Sequence, residues 1–195
     1  MSKIGIYAGT FDPVHNGHVA FARSALATCG LDEVVFFPDR DPWRKTNVTD
    51  IAHRQALLEQ AVRDEQGMRV TLLDVGRFTP RVVVPELKRL FADDELVLLM
   101  GSDLARTLQH SWPSVDVLLA AMSLAIGLRG NDEATDIEAV LQQLVRAHGP
   151  VAYQIFSAPL PGAASTLVRG GDHSTLHPEV SEYIKRHGLY DIAVR

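Results

Sequence analysis

Short, continuously apolar runs recur along the chain, and each is bounded by glycine, proline or polar residues. Runs with this length and these boundaries are typical of strands that are buried on both faces of a sheet. The predicted strands are Ile4–Ala8, Glu33–Phe37, Arg69–Leu73, Glu95–Met100, a strand within Ala120–Leu128, and Ala152–Phe156.

The segments between these runs place apolar residues three or four positions apart, which predicts helices with one buried face. The predicted helices are Gly17–Cys29, a helix capped by Thr49, a helix from Thr79 or Arg81 to Phe91, a short helix around Leu104–Gln109, a helix opened by a capping box at Thr135 and Glu138 and ended by Gly149, and a last helix from Pro178 to Gly188. Strands that alternate with helices form a parallel sheet covered on both faces. We therefore predict an α/β fold, a single Rossmann-like doubly wound parallel sheet in one domain over residues 1–195. Ligands of such sheets bind at the carboxyl ends of the strands.

Composition fits this prediction and narrows the function. The chain has 195 residues, 46% hydrophobic and 22% charged, which is enough for one globular domain with a sizeable core. Its formal charge of −5 disfavours a protein that binds nucleic-acid backbones. The single cysteine, Cys29, falls on the apolar face of a predicted helix and is expected in the core. Because no apolar run is long enough for a membrane span, we expect a cytoplasmic protein with no membrane partner.

The strongest candidate for chemistry is the segment Gly9–His18, which joins the first predicted strand to the first predicted helix. Its glycines allow a ligand to approach the backbone closely, and a helix N-terminus favours phosphate. His15 and His18 lie three positions apart, so both rings can face one ligand and donate to phosphate oxygens. The segment matches neither G-x-G-x-x-G nor the P-loop pattern. The structural alternative is a capping loop with incidental histidines, and a metal held by this pair lacks a third ligand nearby.

The ten residues GTFDPVHNGH resemble the G-[ST]-F-[DN]-P-x-H-x-G-H signature of the HxGH nucleotidyltransferases. Further segments resemble, in the same order, motifs of the bacterial nicotinate-nucleotide adenylyltransferases. These segments are Phe37-Pro38 with Asp41–Lys45, His53-Arg54 with Leu57-Leu58, Gly101–Asp103, Ser165–Arg169, and His177–Tyr190. The resemblance extends over nearly the whole chain and implies the nucleotidylyltransferase fold.

The resemblance also implies a reaction and its residues. An adenylyl group would pass from ATP to nicotinate mononucleotide in NAD biosynthesis, without a covalent enzyme intermediate and with Mg²⁺ accompanying ATP. His15 and His18 would bind phosphates and stabilise the transition state. The implied ATP-binding residues are Gly9, Thr10, Phe11, Gly17, Lys45, Gly101, Asp103, Ser165, Thr166 and Arg169. The implied acceptor-binding residues are Arg44, Thr79 and Trp112, and no protein metal site is implied.

Several of these residues also have a purely structural interpretation. Asp103 fits a helix N-cap as well as a ribose contact, and Trp112 fits ordinary packing as well as stacking on the acceptor ring. Arg44 and Lys45 fit a solvated basic loop as well as a phosphate clamp, and Ser165 fits a helix cap.

The chain departs from the family pattern at the acceptor side. Where the family has S-Y-T-x-D-T, this chain has Arg77–Val82, and only Thr79 matches. Ala164 stands in place of the first serine of S-S-T, and Trp112 follows Asp103 at a spacing about one residue longer than usual. The alternatives are therefore an adenylyltransferase for another phosphorylated acceptor, such as nicotinamide mononucleotide, and a nucleotide-binding homologue without turnover. The pantetheine-phosphate enzymes fit less well, and a homo-oligomer is left open.

Overall fold

A computed structural model of the chain describes residues 1–43, 45–128, 130, 132–158 and 164–190. It contains a single six-stranded sheet within these residues. The strands are β1 (Lys3–Gly9), β2 (Glu33–Pro38), β3 (Met68–Val70), β4 (Glu95–Gly101), β5 (Ser123–Leu128) and β6 (Tyr153–Ser157). The helices are α1 (Asn16–Cys29), α2 (Ile51–Val62), α3 (Pro80–Leu90), α4 (Ser102–Ala105), α5 (Leu108–Ser111), α6 (Val115–Leu119), α7 (Ala134–His148), α8 (Ser165–Arg169) and α9 (Pro178–His187).

All neighbouring strands pair in parallel, in the order β3-β2-β1-β4-β5-β6. The chain builds outward from β1 to β3, then returns to place β4 on the other side of β1. This reversal opens a crevice beyond the carboxyl ends of β1 and β4, where doubly wound sheets bind their ligands. The predicted fold class is confirmed.

Alternation along β1 explains why both faces of the sheet are covered. Ile6 packs into an apolar layer that includes side chains of α3, α6 and α7. Its neighbour Tyr7 packs into the opposite layer, which includes side chains of α1, α2 and α9. Successive side chains of a strand point to opposite faces, so a central strand must be apolar throughout. Over the described ranges, no helix combines the length and the apolar character that crossing a membrane requires.

The caps of two helices differ from their sequence predictions. Asp50, not Thr49, caps α2, because its carboxylate accepts the Ala52 main-chain N–H at 2.8 Å. The capping box predicted at Thr135 was wrong, since α7 already begins at Ala134 and Thr135 lies inside it. Neighbouring residues compete for one cap, and local sequence does not decide between them.

Some element bounds also differ. β3 is Met68–Val70 rather than Arg69–Leu73, because only these residues pair with β2 at the edge of the sheet. α3 continues past Pro85, whose ring interrupts the helical pattern of the sequence. α6 was not predicted at all. It follows Ser114, which has a left-handed backbone (φ 59°).

Candidate active site

The first loop runs from Gly9 to His15 and folds back over the end of β1. Phe11 adopts a left-handed backbone (φ 49°), and its ring is buried against Gly9. A Cβ atom at Gly9 would lie 3.1 Å from the Phe11 Cζ atom, so a larger residue here would press against the ring. The ring also meets Tyr7 edge-on, with centroids 5.4 Å apart, and His18 at 5.0 Å.

The two histidines stack at the N-terminus of α1. Their ring centroids are 3.8 Å apart with an interplanar angle of 28°. The His15 main-chain N–H donates to Nδ1 of His18 at 3.2 Å, and the His18 N–H donates to the His15 carbonyl at 2.9 Å. Because Nδ1 of His18 accepts a hydrogen bond, the proton of its neutral ring is on Nε2. The first loop thus fixes which nitrogen of His18 donates to a ligand.

The carboxylate of Asp12 anchors the first loop from within. It is buried, and its Oδ1 accepts the hydroxyl of Tyr190 at 2.7 Å. Its Oδ2 accepts the Thr49 main-chain N–H at 3.4 Å. Burial and the hydrogen bond to Asp12 raise the pKa of the Tyr190 phenol, so the hydroxyl remains a donor at neutral pH. The segment after α9 is therefore attached to the loop that carries the histidines.

A buried arginine of α2 holds the first loop from outside. Only 1% of Arg54 is exposed, and its Nη1 donates to the Thr10 carbonyl at 2.8 Å while its Nε donates to the Thr49 carbonyl at 2.7 Å. Burial lowers the pKa of its guanidinium, and Asp12 opposes that effect. This role of Arg54 was not predicted from the sequence. The available signal was an arginine on the apolar stripe of a predicted helix, between Ile51 and Leu58.

The short helix α8 approaches the first loop from the other side. Ser165 donates its hydroxyl to the Pro13 carbonyl at 2.9 Å, so this donor is engaged within the protein. Arg169 donates from Nη1 to the Asp12 carbonyl and from Nη2 to the Thr166 hydroxyl at 3.3 Å. Both Thr166 and Arg169 are exposed. The arrangement presents a hydroxyl and a guanidinium beside the loop.

A cavity of about 670 Å³ lies at the carboxyl edge of β1, β2 and β4. Its volume is within the roughly 300–1,000 Å³ usual for ligand sites. Trp43, Phe78 and Trp112 contribute aromatic rings to its walls. The Trp112 indole donates to the Thr107 hydroxyl at 3.0 Å, which fixes the ring's orientation. Flat aromatic walls suit a flat heteroaromatic ligand.

Charged residues line the same cavity. Lys45 donates from Nζ to the Thr10 hydroxyl at 2.8 Å, and desolvation together with the nearby Arg169 lowers its pKa. Asp39 follows β2 directly, and burial raises the pKa of its carboxyl to about 6 even though the Phe78 main-chain N–H donates to it. No role for Asp39 was predicted from the sequence. Its position at the end of a predicted strand was the available signal.

Comparison with known proteins decides the family. The model of the cytidylyltransferase-like family matches residues 6–171, most of the chain. The chain belongs to the cytidylyltransferase-like family. A curated relative from Neisseria meningitidis serogroup C, named probable nicotinate-nucleotide adenylyltransferase, is 34% identical over 197 residues, covering 98% of this chain and 100% of the relative. The nicotinate-nucleotide adenylyltransferase of Bacillus subtilis is 30% identical over 204 residues, with the same coverage of each chain.

A solved structure shows the fold of this cytidylyltransferase-like protein. The nicotinic acid mononucleotide adenylyltransferase of Plasmodium falciparum, complexed with APC, superposes with a TM-score of 0.79 and covers both chains completely at 19% identity. The family model and the curated relatives confirm the family resemblance inferred from the motifs, and this structure confirms the fold.

The structure groups the predicted site residues of this cytidylyltransferase-like chain into two neighbouring sets. One set lines the cavity: Gly9, Thr10, Lys45, Thr79 and Trp112. The other set lies in the first loop or next to it: Phe11, His15, Gly17, His18, Ser165, Thr166 and Arg169. Gly101 and Asp103 belong to neither set. They lie at the end of β4 and in the first turn of α4, between the cavity-lining residues Met100 and Leu104, and Asp103 is exposed. Arg44 lies outside the described residues.

The position of Asp103 depends on its buried neighbour Ser102. The Ser102 hydroxyl donates to the Asp132 carboxylate at 2.5 Å, and Arg106 donates to the same carboxylate from both Nη atoms, at 3.1 and 2.8 Å. These hydrogen bonds join α4 to the segment that precedes α7. They hold the turn that carries Asp103 at the edge of the sheet.

Proposed function

We propose that this nucleotidyltransferase transfers the adenylyl group of ATP to nicotinate mononucleotide, releasing pyrophosphate and forming the deamido-NAD dinucleotide of NAD biosynthesis. The observation that carries the proposal is the stacked pair His15 and His18 at a helix N-terminus, next to a cavity with aromatic walls. The identity with the curated relatives over nearly the full chain supports it.

The first loop supplies groups that suit the triphosphate of ATP. In the proposed reaction, a phosphate oxygen of the acceptor attacks the α-phosphorus of ATP, and the bond to the pyrophosphate oxygen breaks. Negative charge then grows on the leaving pyrophosphate. His15, His18 and the N-terminus of α1 offset this charge, and Nε2 of His18 is the prepared donor. No nucleophilic side chain is required, because positioning and charge stabilisation provide the acceleration.

The remaining assignments are part of the proposal and rest on the family resemblance, together with position where the residue is described. Lys45, Thr166 and Arg169 are proposed to bind phosphates, and Thr10, Phe11 and Ser165 to shape the loop that receives them. Gly9 and Gly17 keep the backbone accessible, and Gly101 with Asp103 contacts the ribose of ATP. Thr79 and Trp112 bind the acceptor ring, and Arg44 binds the acceptor phosphate.

Magnesium enters the proposal as part of the substrate. Among the described residues, no three histidine, cysteine, aspartate or glutamate side chains converge as metal ligands. The Asp12 carboxylate beside the first loop is already held by Tyr190 and Thr49. We therefore assign the ion to the triphosphate, whose oxygens Mg²⁺ prefers.

A panel of acceptors tests the proposed function. Purified protein is given ATP, Mg²⁺ and either nicotinate mononucleotide, nicotinamide mononucleotide or pantetheine phosphate, and pyrophosphate release is measured. Nicotinate mononucleotide is expected to give the highest kcat/KM. Binding of ATP without turnover on any acceptor would contradict an enzymatic function. Faster turnover of nicotinamide mononucleotide would mean that this compound, not nicotinate mononucleotide, is the acceptor.

Substitution of His18 tests the assignment of the histidine pair. His18→Ala is expected to lower kcat by about 10²- to 10³-fold, as removal of one preorganised donor does elsewhere. The matched control is His148→Ala, an exposed histidine at the end of α7, which should leave kcat unchanged. Full activity of His18→Ala would remove this residue from the mechanism.

A further inference from the structure

Among the described residues, two cations line the cavity, Lys45 and Arg77, and they have different partners. Lys45 belongs to the first-loop side, because its ammonium is bonded to Thr10 and lies in the field of Arg169. Arg77 is paired instead with Asp41, whose carboxylate lies 3.2 Å from its Nη2. A ligand with a phosphate and a second anionic group could therefore use one cation for each group.

The backbone fixes Arg77 at the cavity wall. The Asp41 N–H donates to the Gly76 carbonyl at 2.8 Å, which joins the segment after β2 to the segment before α3. The Thr79 N–H donates to the Arg77 carbonyl at 2.9 Å, which closes a tight turn at the start of α3. Arg77 therefore lies directly beside Phe78 and Thr79, and all three residues line the cavity.

The guanidinium of Arg77 is available to a ligand. Its ion pair with Asp41 leaves 43% and 71% of the two side chains exposed. Such exposed pairs contribute at most about 1 kcal/mol, so a ligand anion can replace Asp41. Within the described part of the chain, Nη1 of Arg77 has no hydrogen-bond partner. A guanidinium with open donors matches a carboxylate in the bidentate manner.

The cavity needs a cation at this place if its ligand carries a carboxylate. Asp39 contributes a negative charge to the same wall, and its carboxylate already accepts the Phe78 N–H. An acidic ring bound against Phe78 and Trp112 would be repelled by Asp39. Arg77, which lies close enough to Asp39 to act on its charge, offsets that repulsion.

We propose that Arg77 is the specificity-determining residue of the acceptor site and binds the ring carboxylate of an acidic pyridine mononucleotide. This inference rests on the proposed function. The chain departs from the pattern of its family in the segment Arg77–Val82. With Arg77 in this role, that segment recognises the same acceptor class in a different way. The carboxamide of the nicotinamide analogue carries no charge and would gain little from Arg77.

Equilibrium binding tests this assignment separately from turnover. Isothermal titration calorimetry measures the Kd of nicotinate mononucleotide and of nicotinamide mononucleotide for wild type, Arg77→Gln and Arg77→Lys. Arg77→Gln should weaken binding of the nicotinate compound relative to the nicotinamide compound by about 10- to 100-fold, the range of charge-assisted hydrogen bonds. Arg77→Lys should fall between this variant and wild type, because it keeps the charge and loses the fork.

The matched control is Arg81→Gln, an exposed arginine four residues away that bonds Ser114 outside the cavity lining. It should leave the ratio of the two Kd values unchanged. The assignment is wrong if the ratio of the two Kd values in Arg77→Gln stays within about threefold of the wild-type ratio. A tenfold change in this ratio corresponds to about 1.4 kcal/mol of binding free energy. Failure of the proposed function gives a different result. In that case wild type binds nicotinate mononucleotide, and Arg77→Gln weakens this binding, but no adenylyl group is transferred to the compound. If wild type does not bind that compound at all, both are wrong.

Discussion

Replacing Asp39 by asparagine is expected to stabilise the protein at neutral pH, although the residue lines the cavity. Burial raises the pKa of its carboxyl to about 6, and the neighbouring cations and the Phe78 N–H offset only part of that effect. Asparagine has nearly the same size, and its side-chain oxygen still accepts the Phe78 N–H. The substitution therefore removes a buried charge and keeps the hydrogen bond.

The magnitude follows from the difference between the folded and unfolded pKa values. A rise from the ordinary 3.8 to about 6 lowers the free energy of unfolding by about 3 kcal/mol once the group is ionised, at about 1.4 kcal/mol per unit. The folded state binds this proton more tightly than the unfolded chain does. The stabilising contribution of the protonated form is therefore complete below pH 3.8 and is lost as the pH rises through about 6. Asp39→Asn should gain about 1–3 kcal/mol above about pH 7 and little below about pH 4.

Urea unfolding of both proteins at about pH 8, 6 and 4 measures this difference. The control is Asp64→Asn, an exposed aspartate just after α2, which makes the same change outside the cavity and should not stabilise the protein. A gain in Asp39→Asn of the same size at all three pH values, or a loss at the highest, would refute the electrostatic explanation.

Two further predictions concern the residues that hold the first loop. Arg54→Met removes the hydrogen bonds to the Thr10 and Thr49 carbonyls and should lower the free energy of unfolding in urea by about 2–4 kcal/mol. It should also reduce kcat. The control Arg63→Met, which breaks an exposed ion pair, should change the free energy of unfolding by less than about 1 kcal/mol. Tyr190→Phe removes the donor to Oδ1 of the buried Asp12 and should destabilise the protein by about 1–3 kcal/mol, measured by thermal unfolding. Tyr153→Phe, at an exposed ring, should have no effect.

The sequence predicts the sheet well because strand and helix periodicities are local properties. The first loop is equally accessible to prediction, since glycines, proline and two histidines occur within ten residues. The supports of that loop are not. Arg54, Tyr190 and Ser165 reach it from positions 44, 178 and 152 residues away from their partners. Only the folded arrangement shows which of many polar residues end beside it.

The predictions of the helix caps and of the edge strand were wrong for a different reason. Thr49 and Asp50 both suit an N-cap, and the choice depends on backbone angles that the tertiary structure sets. β3 loses its predicted end because an edge strand pairs on one side only, so apolar character alone does not keep it in the sheet. Propensity identifies these elements, and tertiary contacts determine their bounds.

The positive charge of the site was predicted in part, since Lys45 and Arg169 were expected there and Arg54 was not, and it has a consequence for binding. The chain carries a net charge of −5, yet Lys45, Arg54 and Arg169 converge near the first loop. Desolvation is the main reason that the pKa of Lys45 is lowered, and the nearby Arg169 and Arg54 lower it further because the cations repel one another, while Asp12 and Asp39 reduce the repulsion. A bound triphosphate would relieve what remains of it. Ligand binding should therefore stabilise the fold most at low ionic strength, where this repulsion is least screened.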